Sequence, residues 1–155
     1  MAVHLVRHAD AGSHRRHDDE GRPISDRGRK QAKAVRDALR DAPVGRIVSS
    51  RYTRCLETVR PLADRLHVAV EVHPALAEEA DVGASWELLE QLAETGGDTV
   101  VCSHGNVLSA LLDRVHRRGV EVVADEWSCR KGSVWRLETD PSGRFLRAVL
   151  VLRPG

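Results

Sequence analysis

Two hydrophobic rhythms alternate along the first 118 residues of this chain. Val3-His4-Leu5-Val6 is a short apolar run and reads as a buried strand. The polar stretch from Ala9 to Arg22, broken by Gly12, Gly21 and then Pro23, reads as a loop. Ser25 or Asp26 then caps a helix to about Arg40, with Ala32, Val35 and Leu39 on its inner face. Arg46-Ile47-Val48-Ser49-Ser50 is a second strand. Thr53 to Leu66 carries a helical stripe of Leu56, Val59, Leu62, Ala63 and Leu66, and Pro61 inside it predicts a kink or break near Arg60. Val68 to Val72 alternates as a strand, and Ser85 is a cap for a helix through Glu94. Thr99-Val100-Val101-Cys102 is a third central strand, and Asn106 to Arg118 is a helix stopped by Gly119. Ser133 to Glu138 and Phe145 to Leu152 flank Asp140-Pro141-Ser142-Gly143 and read as a β-hairpin.

Strand-helix alternation followed by a hairpin predicts an α/β fold. The expected architecture is a three-layer sandwich: a mostly parallel central sheet, helices on both faces and the C-terminal hairpin at one edge. No linker, repeat or low-complexity tract interrupts the chain, so residues 1–155 are expected to form a single domain. Between residues 67 and 98 the pattern leaves room for a strand, a loop and a helix, and none for a lid subdomain.

Composition narrows the function by exclusion. Lys and Arg number 24 against 23 Asp and Glu, a net charge of +1, which argues against nucleic-acid binding by bulk charge. Aromatic residues are 3% of the chain, too few for a base-stacking platform. No apolar run approaches the ~18 residues needed to span a membrane. Cys55, Cys102 and Cys129 are scattered without paired spacing, which indicates neither a disulfide framework nor a zinc site. A cytoplasmic protein with no membrane or nucleic-acid partner is expected.

The position of the polar residues says more. Arg7-His8 follows the first strand, Ser49-Ser50-Arg51 and Arg54 follow the second, and Ser103-His104-Gly105-Asn106 follows the third and opens a helix. Ligands of open α/β sheets bind outside the carboxyl ends of the strands. Three strands therefore deliver two histidines and at least two arginines to one rim, and the helix after His104 adds anion-favouring backbone N–H groups. Arginines orient a phosphoryl group bidentately, and a neutral histidine can attack phosphorus to form a phosphohistidine. A leaving alkoxide needs a proton, for which Glu78 and Glu79 are candidates. The loop Ser13-His14-Arg15-Arg16-His17-Asp18-Asp19 reads as a solvated loop able to contact the rest of a substrate, and Lys131 as an exposed turn near the rim.

These segments resemble a known family. Leu5-Val6-Arg7-His8-Ala9 is similar to the signature of the histidine phosphatase superfamily, which includes the phosphoglycerate mutases. Ser49 to Thr58 resembles that family's second arginine motif, Ser103-His104-Gly105-Asn106 its second histidine motif, and Arg22 to Ala32 the segment entering its first helix. The shortness of the chain and the Arg-His-Ala form resemble the SixA-type phosphohistidine phosphatase branch. Arg130 to Trp135 is similar to stand-alone relatives of phosphatase domains fused to Nudix hydrolases.

The resemblance implies a phosphatase acting on a phosphomonoester, a phosphoanhydride or protein phosphohistidine. His8 would be the nucleophile. Arg7, Arg54 and His104, with Gly105 and Asn106, would hold the phosphoryl oxygens. Glu78, in Leu76-Ala77-Glu78, falls where the family's acid would lie, with Glu79 second. No metal or cofactor is implied. The partners would be a phosphorylated small molecule, a nucleotide or a phosphohistidine protein. Two other readings share the motifs: a phosphate-recognition module without turnover, and a mutase-type phosphotransferase. Ala9 stands where the signature usually has glycine, and its Cβ is expected to restrict backbone approach to the phosphate.

Overall fold

The structure is a computed structural model that describes residues 1–13, 18–124 and 129–154. Strands β1 (Ala2–Arg7), β2 (Val44–Ser49), β3 (Val70–Val72) and β4 (Asp98–Ser103) alternate with helices α1 (Asp26–Leu39), α2 (Thr53–Leu66) and α3 (Val82–Glu94). Helix α4 (Gly105–Arg117) and strands β5 (Glu121–Val123), β6 (Val134–Thr139) and β7 (Phe145–Leu152) complete the fold. Among the described residues seven strands form one sheet in the order β3-β2-β4-β1-β6-β7-β5. β1, β2, β3 and β4 run parallel, β6 turns antiparallel against β1, and β6 and β7 form the expected hairpin. The sequence gives no sign of β5, which pairs parallel with β7 and flanks the hairpin.

Alternation along the strands sorts the core into two layers. Val3, Leu5 and Val101 face Leu89, Leu92, Leu108, Leu111 and Leu112 of α3 and α4. Val6, Val100 and Ile47 face Val35, Leu39, Val59 and Leu62 of α1 and α2. Each such side chain contributes ~1.5–3 kcal/mol by leaving water.

Local chemistry sets the helix ends. Ser25 caps α1, its Oγ accepting from the Gly28 N–H at 3.0 Å. α3 begins earlier than its pattern predicts: Asp81 caps it, accepting from the Ala84 N–H, while Ser85 is spent on a 2.7 Å bond to the Ala75 carbonyl. Pro61 does not break α2, which runs on to Leu66. Val68 lies outside β3, which is shorter than its alternating pattern. A Cβ on Gly28 would lie 2.1 Å from the Asp10 carbonyl oxygen, so only glycine lets the loop after β1 rest on α1.

Candidate active site

β2, β4 and β1 are neighbours, and both Ser49 and Val6 pair with Cys102, so their carboxyl ends are level. Backbone bonds continue past the strand ends. The His8 N–H donates to the Ser103 carbonyl at 3.1 Å and the Ser50 N–H to the Cys102 carbonyl at 3.0 Å. The three polar segments therefore leave the sheet side by side.

His8 is 6% exposed. Its Nδ1 lies 2.8 Å from the Ala9 carbonyl, which can only accept, so Nδ1 carries the proton and Nε2 keeps its lone pair. Burial, followed by the charges of Arg54, Arg7 and Lys131, lowers its pKa to about 4 against the hydrogen bond to Ala9. Ala9 itself is fixed through its N–H to Thr58 Oγ1 at 2.8 Å, and its methyl is buried with Ile24 and Ala32. That methyl packs into the loop's own small core, so the Cβ constraint expected from the sequence is absorbed there.

His104 is the N-cap of α4 and is 1% exposed. Its ring stands edge-on to His8 with centroids 5.4 Å apart, and its Nε2 meets Ser50 Oγ at 2.9 Å. Burial, then the neighbouring His8 and Arg54, lowers its pKa to about 3. Both imidazoles are thus neutral at pH 7. The His104 side chain does not cap α4, so among the described residues its first-turn N–H groups lack the usual capping acceptor.

The two arginines approach from different elements. Arg7, at the end of β1, donates to the Cys129 carbonyl at 2.6 Å. Its guanidinium crosses the start of α4 so closely that a Cβ on Gly105 would lie 2.9 Å from Arg7 Cζ. Arg54, in the first turn of α2, is 2% exposed and ion-paired to Glu78 at 2.9 Å and Asp19 at 3.4 Å. Arg7 Nε, Arg54 Nε and His104 Nδ1 are each buried without a hydrogen-bond partner among the described residues. Buried polar nitrogens are ordinarily paired.

The two glutamates diverge. Glu78 reaches Arg54, and its carbonyl accepts from Asn106 Nδ2 at 2.8 Å. Asn106 thus spends its side chain on this loop. Glu79 turns to Arg51 Nη2 at 2.6 Å and the Tyr52 hydroxyl at 2.9 Å. Its own backbone N–H, Arg51 and Tyr52 hold its carboxyl at about 2, in the ionised form. Lys131 pairs with Asp10 at 3.4 Å and is close enough to bear on His8.

His8, Arg7, Arg54, His104 and Glu78 therefore meet at one sheet edge, with Gly105 beneath Arg7. Asp19, Ser50, Tyr52 and Thr58 also belong to this edge. Ser50, Tyr52 and Thr58 lie within the segment that carries Arg54, and their offsets from it were the available signal. Asp19 gave none, since its loop reads as solvated. Here Arg22, bonded to the Gly12 carbonyl and to Asp19, helps hold the Asp19 carboxylate beside Arg54. Burial tends to raise the Asp19 carboxyl, but Arg22 and Arg54 outweigh it and hold it down to about 2. His14, Arg15, Arg16 and His17 of the same loop lie outside the described residues.

Comparison with known proteins places the chain among relatives. The chain is 34% identical over 140 residues to the 8-oxo-(d)GTP phosphatase of Mycolicibacterium smegmatis, covering 87% of this chain and 43% of that protein. The chain thus spans less than half the length of that relative. Among solved structures, it superposes on the protein histidine phosphatase SixA complexed with tungstate with a TM-score of 0.77, at 22% identity and 97% coverage of both chains. It superposes on a mycobacterial glucosyl-3-phosphoglycerate phosphatase with a TM-score of 0.70, at 15% identity over 99% of this chain and 98% of that one. Both likenesses concern the fold. The description "Histidine phosphatase superfamily (branch 1)" matches residues 3–94, more than half of the sequence, and the chain belongs to that family.

Proposed function

We propose that this chain is a phosphatase working through a covalent phosphohistidine on His8. The observation that carries this reading is the Nε2 lone pair of a buried, neutral His8. It is fixed by the Nδ1–Ala9 bond beside Arg54, Arg7 and His104, whose unpartnered buried nitrogens leave bonding capacity for an oxyanion. His8 Nε2 attacks phosphorus, the N–P bond forms as the P–O bond to the leaving group breaks, Arg7 and Arg54 neutralise the oxygens, and neutral His104 donates a hydrogen bond to them from Nδ1. Glu78 supplies a proton to the departing oxygen. A phosphoryl group seated on Arg54 competes with the Glu78 carboxyl for that guanidinium and leaves Glu78 beside the departing oxygen. Water then attacks phosphorus and gives its proton to Glu78, and the N–P bond breaks to release phosphate and restore His8.

The substrate is read as a phosphomonoester, a phosphoanhydride or a protein phosphohistidine. The name of the M. smegmatis relative places nucleotides first in a substrate panel. The chain is read as a single domain without a lid, because β3, one 3₁₀ turn and α3 are all that lie between α2 and β4. A cytoplasmic setting is supported by three free cysteines, and no described helix is long and apolar enough to cross a membrane.

The test is a rapid quench with substrate labelled at the transferred phosphorus. An acid-labile, base-stable label should appear on the protein and vanish in His8→Ala along with hydrolysis. Unchanged hydrolysis by His8→Ala would overturn the reading.

A further inference from the structure

We propose that Tyr52 is a positioning residue for proton donation: through Glu79, its hydroxyl holds the Glu78 carboxyl in register with Arg54 and His104. The inference rests on Glu78 being the proton donor.

Tyr52 is the N-cap residue of α2 and is 9% exposed. Its ring stands edge-on to His104 at 4.7 Å between centroids, and the Arg54 guanidinium carbon lies 4.8 Å from its centroid. Two oxyanion-facing groups therefore fix the ring, and a fixed ring makes a fixed hydroxyl. That hydroxyl donates to Glu79 Oε2 at 2.9 Å. Glu79 is the next residue after Glu78, so anchoring its carboxylate constrains the peptide that carries Glu78. The other anchor is Asn106 Nδ2 on the Glu78 carbonyl. One anchor comes from α2 and the other from α4, the two helices that carry Arg54 and His104. Arg51 also meets Glu79, but both side chains are about half exposed, and such a pair is a weak restraint. Tyr52 is the less exposed of the two side chains that hold Glu79, and its hydroxyl bond is partly buried. A carboxyl displaced by as little as 1 Å donates its proton poorly while leaving phosphate binding intact.

Proton donation matters only for a leaving group that departs badly without it. The assay is therefore kcat/KM, which reports the first phosphoryl transfer, across a series from p-nitrophenyl phosphate to an alkyl phosphate. Tyr52→Phe keeps the ring contacts and removes the hydroxyl. It should lower kcat/KM about tenfold for the alkyl ester and less than about twofold for p-nitrophenyl phosphate, with affinity for inorganic phosphate unchanged. Glu79→Ala should reproduce the pattern, and Tyr52→Phe/Glu79→Ala should be no worse than either alone. An equal loss across the series, or none, would overturn the proposal. Glu78→Gln in the same assay separates the two levels. If it leaves the leaving-group dependence flat, the donor assignment fails and the proposal with it. If it steepens the dependence while Tyr52→Phe does not, only the role of Tyr52 is refuted.

Discussion

Lowering the pH from 7 to 5 should cost this protein a substantial share of its stability, and the two site histidines should account for most of the loss. The folded chain holds His8 at about 4 and His104 at about 3, against 6.5 when unfolded. Below 6.5 the unfolded chain therefore binds protons that the folded chain refuses. Stability rises with pH wherever the unfolded state binds more protons, so it must fall as pH drops from 6.5 toward the folded values. At pH 5 each histidine has cost roughly 1.5 pH units at 1.36 kcal/mol per unit, or about 2 kcal/mol, and the pair about 4 kcal/mol. His4, lowered by burial against the pull of Asp98, adds loss of the same sign. Carboxylates contribute little here, because Asp and Glu stay mostly ionised at pH 5 even when unfolded. Domains of this size have only about 5–15 kcal/mol in total.

Urea unfolding followed by tryptophan fluorescence measures this directly, since Trp86 and Trp135 are buried. The pH 7 to 5 drop should shrink by about 2 kcal/mol in His8→Ala, judged by slope and not by absolute stability. Saturating inorganic phosphate should also shrink it, because a bound anion opposes the Arg54 charge that helps keep both rings neutral. A stability independent of pH across this window, or a slope unchanged in His8→Ala, would show that the imidazoles titrate normally and that the buried neutral nucleophile is wrong.

Asp19→Asn removes one of the two carboxylates on Arg54 and should tighten inorganic phosphate binding about fivefold at low salt, less at high salt, by calorimetry. Unchanged or weaker binding would refute a competing role for Asp19. Gly28→Ala forces a methyl against the Asp10 carbonyl and should cost about 2–4 kcal/mol in urea unfolding, with lost hydrolysis, because that loop carries the Ala9 anchor of His8. Asp81→Ala should cost about 1 kcal/mol in the same unfolding assay through the lost α3 cap, and leave phosphate affinity unchanged.

The sheet and the main site were legible for one reason: strand ends in a parallel sheet must converge. Arg7-His8, Ser50-Arg54 and Ser103-Asn106 follow three apolar runs, and parallel pairing brings them together without any further information. Choices between near-equal local options were not legible. Asp81 and Ser85 are both good caps, and only the Ala75 carbonyl, arriving from the preceding turn, removes Ser85 from contention. Glu78 and Glu79 are chemically alike, and the path of one turn decides which meets Arg54 and which meets Tyr52. Strand β5 depends on β7, some 25 residues later, and a three-residue strand has too little pattern of its own to announce such a partner.

The loop acid Asp19 shows why a site of this kind escapes local reading. Arg54 is a guanidinium almost wholly withdrawn from water, and an isolated charge so placed would be costly. Before any substrate arrives, Asp19 and Glu78 supply the opposing charge, and the Asp19 carbonyl accepts from Arg54 Nη1 at 2.7 Å. In the proposed mechanism phosphoryl oxygens bind the same guanidinium as these oxygens. A phosphoryl dianion must then compete with them, which lowers affinity but keeps the cation in place between turnovers. In the proposed mechanism the same competition would free Glu78 from its ion pair when phosphate binds, which would tie proton donation to occupancy of Arg54. On that mechanism one guanidinium would couple seating of the phosphoryl group to readiness of the acid, through side chains from three separate segments of the chain.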